Sequence, residues 1–594
     1  MSQYRRLLSR ANLFFCLILP FCTGCTLNAR IDSLGNVVSS SVESEPASPT
    51  PSLTYQSPQG IYGQNESITL SPSVVGKLKN FRTTPSLPAG ITIDSESGII
   101  SGVATIPTAK KLYVIQAIDN LGNEVSSQFE FEVAANFIVN STLDEQDSNP
   151  GDGLCATNTS SICTLRGAVE EANAQSVEIL SKITLPAGTY PLVSLSLNIS
   201  SSRVKIVGSD RATTVIDANP DGAAVSPGIN ISAASTEVTI EGVSIKNASL
   251  VAPGGVTLGV GLKSLAANLT LKNCEISNHS ISGTNASAVL GVGLYHKSTG
   301  SLTIDNCTIK DNSGDLTNAL GYSYGAGAYL EASTINISNS TIRNNTFPSA
   351  QGASGAGGIY SKGNTSVYGS EISSNRSRNF GGAIFYDGTY EHEIHFSTLE
   401  QNTSNSLSFG NYIYLTGGSK LNISNSALLD STATSEHIYV GTASTLTVKN
   451  STLYATSASE LIELNNSTAN IEASTLYSEF NAINFRLSSG TLLTKSSIYL
   501  GNNFTCTSHS NPVVSYGYNI FADSTCNSGN SNDLANTAPL VSTPANNGGT
   551  TKTMKTNVAS PAKNLVPVSE CLEKDQIEKS RSSGSFCNSG AYQD

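Results

Sequence analysis

A short pattern of residues recurs ten times between residues 238 and 498 and constrains the fold more than any other feature of the chain. Each copy alternates apolar and polar residues, then commonly has Asn or Gly, a small residue, one outward residue and an aliphatic residue. The copies are VTIEGVSI (238–245), LTLKNCEI (269–276), LTIDNCTI (302–309), INISNSTI (335–342), SVYGSEI (366–372), EIHFSTL (393–399), LNISNSAL (421–428), LTVKNSTL (446–453), NIEASTL (470–476) and LLTKSSI (492–498). Alternation with a period of two predicts strands, and a repeat of this length predicts a solenoid of stacked coils.

A tight corner is predicted inside each copy, immediately before the small residue. The corner positions are Gly242, Asn273, Asn306, Asn339, Gly369, Asn425 and Asn450. A positive φ angle costs Gly nothing and is tolerated by Asn, and stacked Asn side chains can hydrogen-bond along the coil axis. The aliphatic residues two positions beyond the small residue, from Ile245 to Ile498, are predicted to stack into a continuous core.

Gly-rich segments between the copies, such as GVGLY (291–295) and GAGAY (325–329), predict the third strand of each coil. With these columns the region resembles a right-handed parallel β-helix of the pectate-lyase-like superfamily. The predicted fold class is therefore all-β: a right-handed parallel β-helix over residues 181–510, preceded by an Ig-like β-sandwich. The handedness is implied by the resemblance.

The N-terminal 25 residues are predicted to be an export signal, because basic residues precede the apolar stretch ANLFFCLILPF (11–21), which is too short to span a membrane. The following Cys-Thr-Gly-Cys resembles a bacterial lipobox and implies acylation of Cys25, although Cys22 replaces the usual Leu. An ordinary cleaved signal is the alternative. Residues 26–52, rich in Ser and Pro, are predicted to form a flexible tether.

Residues 53–135 are predicted to be a separate unit of short alternating strands. Two stretches, LPAGITIDSESGIISG (87–102) and YVIQAIDNLGNEVSSQFEFEV (113–133), resemble the Ig-like, cadherin-like sandwiches of bacterial surface proteins. This part of the chain is accordingly interpreted as one such sandwich.

Residues 137–180 are predicted to form an N-terminal cap of the β-helix. The stretch Cys-Thr-Leu-Arg-Gly-Ala (163–168) resembles the CSLREA-type segment that precedes β-helices in bacterial surface proteins, with two positions changed. Apolar residues at helical spacing after Leu165 predict a short helix that covers the open end of the solenoid. Asp144, Asp147 and Asp152 are candidate calcium ligands, and a solvated loop is the alternative.

Residues 511–594 are predicted to be a C-terminal cap. The stretches APLVSTPANNGGTTKTM (538–554) and CNSGAYQD (587–594) resemble the choice-of-anchor-type segment that closes proteins of the same kind. Local disulfides are predicted in the two caps, since an exported protein can keep them. The predicted pairs are Cys155/Cys163, Cys506/Cys526 and Cys571/Cys587.

Cys274 and Cys307 fall in the same column of adjacent coils, where the strand spacing permits a disulfide. A stacked reduced pair is the favoured alternative, because parallel side chains both point inward.

Polysaccharide-cleaving β-helices need catalytic carboxylates on one outer face, and therefore in the outward columns of adjacent coils. The column before the corner, from Glu241 to Thr494, and the column after the small residue, from Ser244 to Ser497, place no two acids on adjacent coils. The chain has no Trp, so the predicted sugar-stacking residues are tyrosines. These are Tyr295, Tyr329, Tyr360 and Tyr386.

The predicted function is that of an exported, lipid-anchored surface protein of the bacterial envelope, at the outer membrane or cell surface, with a structural or adhesive role. Its expected partners are a membrane, through the lipid anchor, and a polysaccharide or a host or cell-surface protein. The net charge of −12 argues against nucleic acid. We expect a monomer with no cofactor apart from the candidate calcium. The alternative is a polysaccharide lyase or glycoside hydrolase acting through loops 246–268 and 277–301.

Overall fold

The computed structural model describes most of the 594-residue chain. The described residues are 30–31, 37–38, 50–55, 61–158, 161–193, 195–222, 227–252, 254–283, 286–316, 321–348, 354–404, 409–429, 436–456, 460–479, 483–501, 504–508, 513–526, 529–581 and 584–594. The predicted export signal, Cys25 and nearly all of the predicted tether lie outside these residues and stay predictions. Among the described residues, no helix is both long and apolar enough to cross a membrane.

The chain divides into two compact units. The first comprises Met1–Gly60, Ser67–Gly102 and Lys111–Phe131, and the second Ile61–Glu66, Val103–Lys110 and Glu132–Asp594. The strands that lie wholly or partly in the first unit are Arg30–Ile31, Val37–Val38, Ser52–Thr54, Ser67–Leu70, Ser73–Val75, Leu78–Thr84, Ile91–Ile93, Ile100–Val103, Thr108–Asp119 and Glu124–Ile138. They pair largely antiparallel around buried aromatic residues, as an Ig-like sandwich requires.

The second unit is a right-handed parallel β-helix, which confirms the predicted fold class. Each coil contributes one strand to each of three parallel sheets, here called sheets 1, 2 and 3 in the order in which a coil visits them. Sheet 1 holds Ser181–Leu185, Arg203–Gly208, Glu237–Glu241, Asn268–Lys272, Ser301–Asp305, Glu391–His395, Lys420–Ser424, Thr445–Lys449, Thr468–Glu472, Thr491–Lys495 and Val513–Ser515, together with the second halves of Ala328–Ser338 and Ile359–Tyr368.

Sheets 2 and 3 follow sheet 1 around each coil. Sheet 2 holds Gly188–Pro191, Thr214–Asp217, Ser244–Lys246, Glu275–Ser277, Thr308–Lys310, Thr341–Arg343, Glu371–Ser373, Thr398–Glu400, Ala427–Leu429, Thr452–Ala455, Thr475–Ser478, Ile498–Gly501 and Ile520–Phe521. Sheet 3 holds Leu197–Ile199, Ile229–Ile231, Leu262–Ser264, Leu294–Lys297, Ile384–Tyr386, Ile413–Leu415, Ile438–Val440, Ile462–Leu464, Ile483–Leu487 and Phe504–Ser508, together with the first halves of Ala328–Ser338 and Ile359–Tyr368.

Smaller elements complete the second unit. Short strands in the loops after sheet 2 form two extra sheets: Ser249–Val251, Ser280–Ser282 and Ser313–Asp315, and Gly255–Leu258, Ala286–Leu290, Ser323–Tyr324 and Ser354–Gly355. Others are Tyr62–Gly63, which pairs with Glu124–Ile138, the pair Val566–Pro567 and Phe586–Cys587, and the 3-10 helix Val568–Glu570.

Helix α1, Leu165–Ala174, confirms the helix predicted in the N-terminal cap. It begins after Thr164, whose hydroxyl accepts a hydrogen bond from the Gly167 amide. Its apolar side chains join the buried core of the first coils, against strands Ser181–Leu185 and Leu197–Ile199.

The corner residues adopt the predicted backbone. All seven have positive φ, from 70° at Gly242 to 48° at Asn450. One axial side-chain bond of the predicted kind is present, from Asn306 Nδ2 to Asn273 Oδ1 at 2.7 Å. Asn425 and Asn450 instead donate to backbone carbonyls of residues 574–576, so the C-terminal segment replaces the neighbouring coil as their partner.

The small residue after each corner forms a continuous ladder. From Cys307 to Ser474, each backbone amide donates to the side-chain oxygen of the small residue one coil later, at 3.0–3.2 Å. The Cys274 amide donates to the Cys307 sulfur at 3.3 Å, and the Ser497 amide donates to Asn519 Oδ1 at 3.0 Å. Both cysteines are free and buried, which agrees with the stacked reduced pair.

A second, fully buried ladder lies at the corner between sheet 2 and the following loop. Asn312, Asn345, Asn375 and Asn402 each lie one coil apart, and each of the first three donates both its backbone amide and its Nδ2 to the next Oδ1, at 2.8–3.2 Å. This ladder was not predicted, and it satisfies polar groups that would otherwise be buried without partners.

The predicted register of the last copy is wrong by one residue. Strand pairing aligns Thr475 with Ile498 and Leu476 with Tyr499, so Ser497 and Tyr499, rather than Ser496 and Ile498, continue the small and aliphatic columns. Thr494 consequently points inward and is 1% exposed, where it was expected to face solvent.

The three predicted disulfides are present: Cys155–Cys163, Cys506–Cys526 and Cys571–Cys587. The C-terminal segment beyond residue 538 lies along the corner of earlier coils as well as near the last one. Gln576 bonds Thr452, and the Ala591 amide donates to Thr475. A cap over the end alone is therefore an incomplete description of this segment.

Candidate functional site

A groove of about 1260 Å³ lies on the second unit and is here called the corner groove. Its floor is the corner between sheets 1 and 2 on three successive coils, and its far wall is the C-terminal segment. The lining residues are Asn339, Ser340, Thr341, Tyr368, Gly369, Ser370, Glu371, Phe396, Thr398, Glu400, Asn546, Gly548, Gly549, Thr550, Thr551, Lys552, Ile577 and Glu578.

Phe396 is the unusual residue of the groove. It occupies the corner column in which the two preceding coils have Asn339 and Gly369, and it holds a φ of 49° there. A bulky side chain in this left-handed region is a conformational outlier and costs on the order of 1 kcal/mol. Residues strained in this way cluster at functional sites.

The Phe396 ring forms part of an aromatic platform at the mouth of the groove. Its centroid lies 5.8 Å from that of Tyr368, in an edge-to-face arrangement, and 4.1 Å from that of His395. Tyr368 is 47% exposed. His395 is fixed by a 2.6 Å hydrogen bond between its Nδ1 and Ser424 Oγ. A ring face of this kind is suited to pack against the apolar face of a sugar.

Two carboxylates project from sheet 2 into the same groove. Glu371 and Glu400 lie on adjacent coils, in the two outward columns of the sheet, since Glu371 pairs with Thr398 and Ser373 with Glu400. Ser373 donates to Glu371 at 2.6 Å, and Lys552 of the far wall forms an ion pair with Glu400 at 3.0 Å. The groove therefore combines hydrogen-bond acceptors, a cation and aromatic rings.

The far wall is held by buried polar contacts with the coils. The Arg581 guanidinium is fully buried and donates to Asn450 Oδ1 and to the carbonyls of Gly590 and Asn588, at 2.7–3.1 Å. Burial lowers the pKa of Arg581 to about 10. Gln576 links Thr452 to Thr551, which places residues 546–552 opposite Glu371 and Glu400.

The tyrosines predicted to stack on sugars are buried in the structure. Tyr295, Tyr329 and Tyr360 form a stacked column on the outer face of sheet 3, with centroids 5.2 and 4.6 Å apart, and are at most 8% exposed. The inclusion of Tyr386 was wrong: Phe385 continues the column, and Tyr386 points into the core. In loops 246–268 and 277–301, Leu258, Leu265 and Leu290 pack against this column. The lyase or hydrolase alternative assigned to these loops stays a prediction.

The candidate calcium ligands do not converge. Asp144 forms an ion pair with Arg166 at 2.7 Å, Asp147 accepts from the amides of Asn149 and Ala156, and Asp152 accepts from the amide of Leu154. Within the described part of the chain, no three His, Cys, Asp or Glu side chains are grouped to hold a metal ion. Calcium binding in this loop stays a prediction.

A second group of acids lies near the outer face of sheet 3 but is poorly accessible. Burial raises the pKa of Glu436 to about 7, with Glu463 and Glu460 adding to the rise, while the Gly410 amide donates to its carboxylate at 3.0 Å. Glu436 and Glu463 are 5% and 8% exposed, and Arg486 pairs with Glu460. This group is better described as a buried network than as a binding site.

The repeat columns of the sequence did not predict Glu400 and Phe396 as residues of a site. Glu400 lies in the second outward column of sheet 2, two residues beyond the column that contains Glu371 and Thr398. Phe396 stands in the corner column, in which seven of the ten copies have Asn or Gly. A departure from that column was the available signal.

Comparison with known proteins gives limited further information. Residues 35–134 match the family model described as "Putative Ig domain". No curated protein matches the chain in sequence. Among solved structures, it is similar to the catalytic domain of a GH87 alpha-1,3-glucanase variant in complex with tetrasaccharides (12% identity, TM-score 0.29, 80% of this chain and 87% of that chain covered). It is also similar to the Family 28 exopolygalacturonase of Yersinia enterocolitica (11% identity, TM-score 0.19, 78% and 98% covered). At these TM-scores neither structure informs the site.

Proposed function

We propose that this chain is an exported, lipid-anchored surface protein of the bacterial envelope whose β-helix binds a polysaccharide in the corner groove. The observation that carries this proposal is Phe396, an aromatic residue kept at a left-handed corner beside the exposed ring of Tyr368. Stacking rings supply apolar contact with a sugar, and Glu371, Glu400 and Lys552 supply hydrogen bonds to its hydroxyls. The role is adhesive.

The proposal is tested by Phe396→Asn in the full chain, measured by a glycan array and then by calorimetry. Asn is the corner residue of neighbouring coils, so the variant relieves the strain and is expected to unfold at an equal or higher denaturant concentration. Loss of a stacked ring is expected to weaken binding about tenfold. Tyr516→Asn, which removes a 60% exposed ring elsewhere, serves as the control and should bind normally. Unchanged affinity in the Phe396→Asn variant would refute a groove-based site.

Hydrolysis is the second candidate function, and Glu371 together with Glu400 is the observation that favours it, because two carboxylates line one groove. Glu371→Gln and Glu400→Gln separate the two functions. If the groove only binds, a bound glycan is recovered at its original length from the native chain. If it hydrolyses, mass spectrometry detects shortened products with the native chain and none with the variants.

Lipid anchoring rests on the lipobox-like sequence ending at Cys25, and the CSLREA-type and choice-of-anchor-type resemblances support a place at the cell surface. Cys25→Ser is expected to abolish incorporation of a labelled fatty acid and to release the chain from the membrane fraction. Labelling that persists in this variant would exclude acylation at this position.

A further inference from the structure

A lysine, a carboxylate and an amide meet where the second unit begins. Asn136 lies on strand Glu124–Ile138 and Lys182 on strand Ser181–Leu185. The two residues are direct partners in adjacent parallel strands. Their neighbours along both strands are buried, so the two side chains point to the same outer face of the sheet. Paired strands lie about 4.8 Å apart, which places the lysine side chain beside the amide.

Glu66 connects these two side chains. Its Oε1 accepts a hydrogen bond from Lys182 Nζ at 2.6 Å and another from Asn136 Nδ2 at 3.4 Å. Its Oε2 accepts from the Gly63 amide at 2.7 Å, so the backbone holds the carboxylate in place. Partial burial raises the pKa of Glu66, but the hydrogen bonds from Lys182 and Gly63 outweigh this effect, and the pKa lies below its usual range. Glu66 is therefore a carboxylate that can accept a proton from the ammonium group.

The Asn136 side chain is held by close packing and not by strong hydrogen bonds. A side chain at Gly63 would collide with it, because a Cβ there would lie 2.6 Å from Asn136 Cγ. The bonds of Nδ2 are long, at 3.3 Å to the Gln64 carbonyl and 3.4 Å to Glu66, and Oδ1 is buried without a partner among the described residues. A buried carbonyl without a partner costs stability, so hydrogen bonding does not explain an asparagine at this position.

We infer that these three side chains form an intramolecular isopeptide bond. Lys182 Nζ becomes joined to Asn136 Cγ, ammonia is released, and Glu66, which touches both reacting nitrogens, is the catalytic residue. All three residues belong to the second unit. The inference concerns a covalent modification site and does not depend on the proposed glycan binding.

The reaction exchanges one amide for another and needs no oxidant or external reagent. Glu66 takes a proton from the Lys182 ammonium, and the freed lone pair of Nζ attacks Cγ of Asn136. Glu66 then gives that proton to Nδ2, the Cγ–Nδ2 bond breaks, and a second proton passes from Nζ through Glu66 to the departing ammonia. The products are a secondary amide and one ammonium ion, and the carboxylate is regenerated, so atoms and charge balance.

The bond would close a covalent loop from residue 136 to residue 182 that contains the N-terminal cap and helix α1. Hydrogen bonds between residues 135–138 and 181–184 otherwise hold the entering strand to the first coil. With the isopeptide bond in place, tension on the chain from its N-terminal side could not separate this strand from the coil. Such tension is expected in a surface protein that is anchored at Cys25.

The test is tandem mass spectrometry of tryptic peptides from the reduced and alkylated full chain. If Lys182 is free, trypsin releases residues 112–166 and 167–182 as separate peptides. The isopeptide bond blocks cleavage after Lys182, so the expected product is residues 112–166 joined to residues 167–203, about 17 Da lighter than the sum of those two peptides. Disulfide Cys155–Cys163 lies within one of the peptides and cannot produce this link.

Matched variants identify the reacting groups. Lys182→Arg, Asn136→Ala and Glu66→Gln should each abolish the linked product. Lys205→Arg is the control, since Lys205 is the partner of Lys182 on the next coil and pairs with Glu241, and this variant should keep the link.

Two results would count against the inference. Separate peptides from the native chain would overturn it, however the variants behave and whether or not they fold. A linked product that persists in Glu66→Gln would overturn the catalytic role of Glu66. Neither result changes the expectation for glycan binding, which is measured separately.

Discussion

Four buried histidines should make this β-helix sensitive to mild acid. Burial lowers the pKa of His279 and His296 to about 4 and that of His392 and His437 to about 3. In the unfolded chain each histidine has its ordinary pKa near 6.5, so just below that pH it binds a proton that the folded chain does not bind. Stability from these groups is therefore complete above pH 6.5 and is lost as the pH falls towards 4.

The magnitude follows from linkage. As the pH falls from 6.5 to 4.5, protonation of each of these histidines in the unfolded chain lowers the free energy of unfolding by about 2 kcal/mol. Four such groups together remove about 9 kcal/mol, which is comparable with the whole stability of many domains. Cooperative loss of the fold is thus expected between pH 5 and 4.

His437→Phe isolates one of these contributions. Neither ring nitrogen of His437 has a hydrogen-bond partner among the described residues, and the ring packs edge-on against Tyr412 at 4.5 Å. Phenylalanine keeps the ring contact and removes the proton site. The free energy of unfolding of the variant minus that of the native chain should be about 2 kcal/mol larger at pH 4.5 than at pH 7.

The assay is urea unfolding followed by circular dichroism at pH 7, 5.5 and 4.5. Ile462→Val, a neighbouring core change with no titratable group, is the control and should lower the midpoint equally at every pH, by about 1 kcal/mol in free energy. The reasoning is refuted if the native chain and His437→Phe lose stability in parallel from pH 7 to 4.5.

Three further outcomes are expected. As the pH rises from 5 to 8, the free energy of unfolding of Glu436→Gln should increase by about 3 kcal/mol relative to that of the native chain, measured by the same urea titrations. The reason is that a carboxyl with a raised pKa stabilises the fold below its ordinary pKa and loses that stability as the pH rises through 7. Asn345→Leu should cost about 3 kcal/mol or more, since it orphans buried groups on both neighbouring coils, while the exposed Asn336→Ala should change the midpoint by less than about 0.5 kcal/mol. Arg581→Leu should free the C-terminal segment, detected as faster limited proteolysis beyond residue 538 and loss of glycan binding with the coil signal retained.

The coils were predictable because their side-chain columns repeat in the sequence, and a parallel β-helix is held together by such columns. The register failed where the sequence offers two alignments: in Lys495-Ser496-Ser497-Ile498 either serine can be the small residue. In the structure Ser497 is the small residue: its amide donates a hydrogen bond to Asn519 Oδ1, and Tyr499, two residues later, lies in the core. A similar one-residue ambiguity explains why Tyr386 was predicted in the tyrosine column, which Phe385 occupies in the structure.

The buried Asn ladder was available in the sequence as a fixed offset. Asn312, Asn345, Asn375 and Asn402 each follow the small residue of their copy by five positions. The corner groove was not available in this way. Its far wall, residues 546–552, comes from a segment about 150 residues later in the chain, and no periodicity relates that segment to the coils on which it lies.

The ladder of small residues makes every coil interchangeable in hydrogen bonding. Each coil presents one amide to its successor and one side-chain acceptor to its predecessor, and only Cys274 and Asn519 stand at the ends. A whole coil can therefore be deleted or duplicated between matching columns without orphaning a polar group of this ladder. The length of the β-helix can change by single coils, whereas the corner groove stays on the three coils that the C-terminal segment faces.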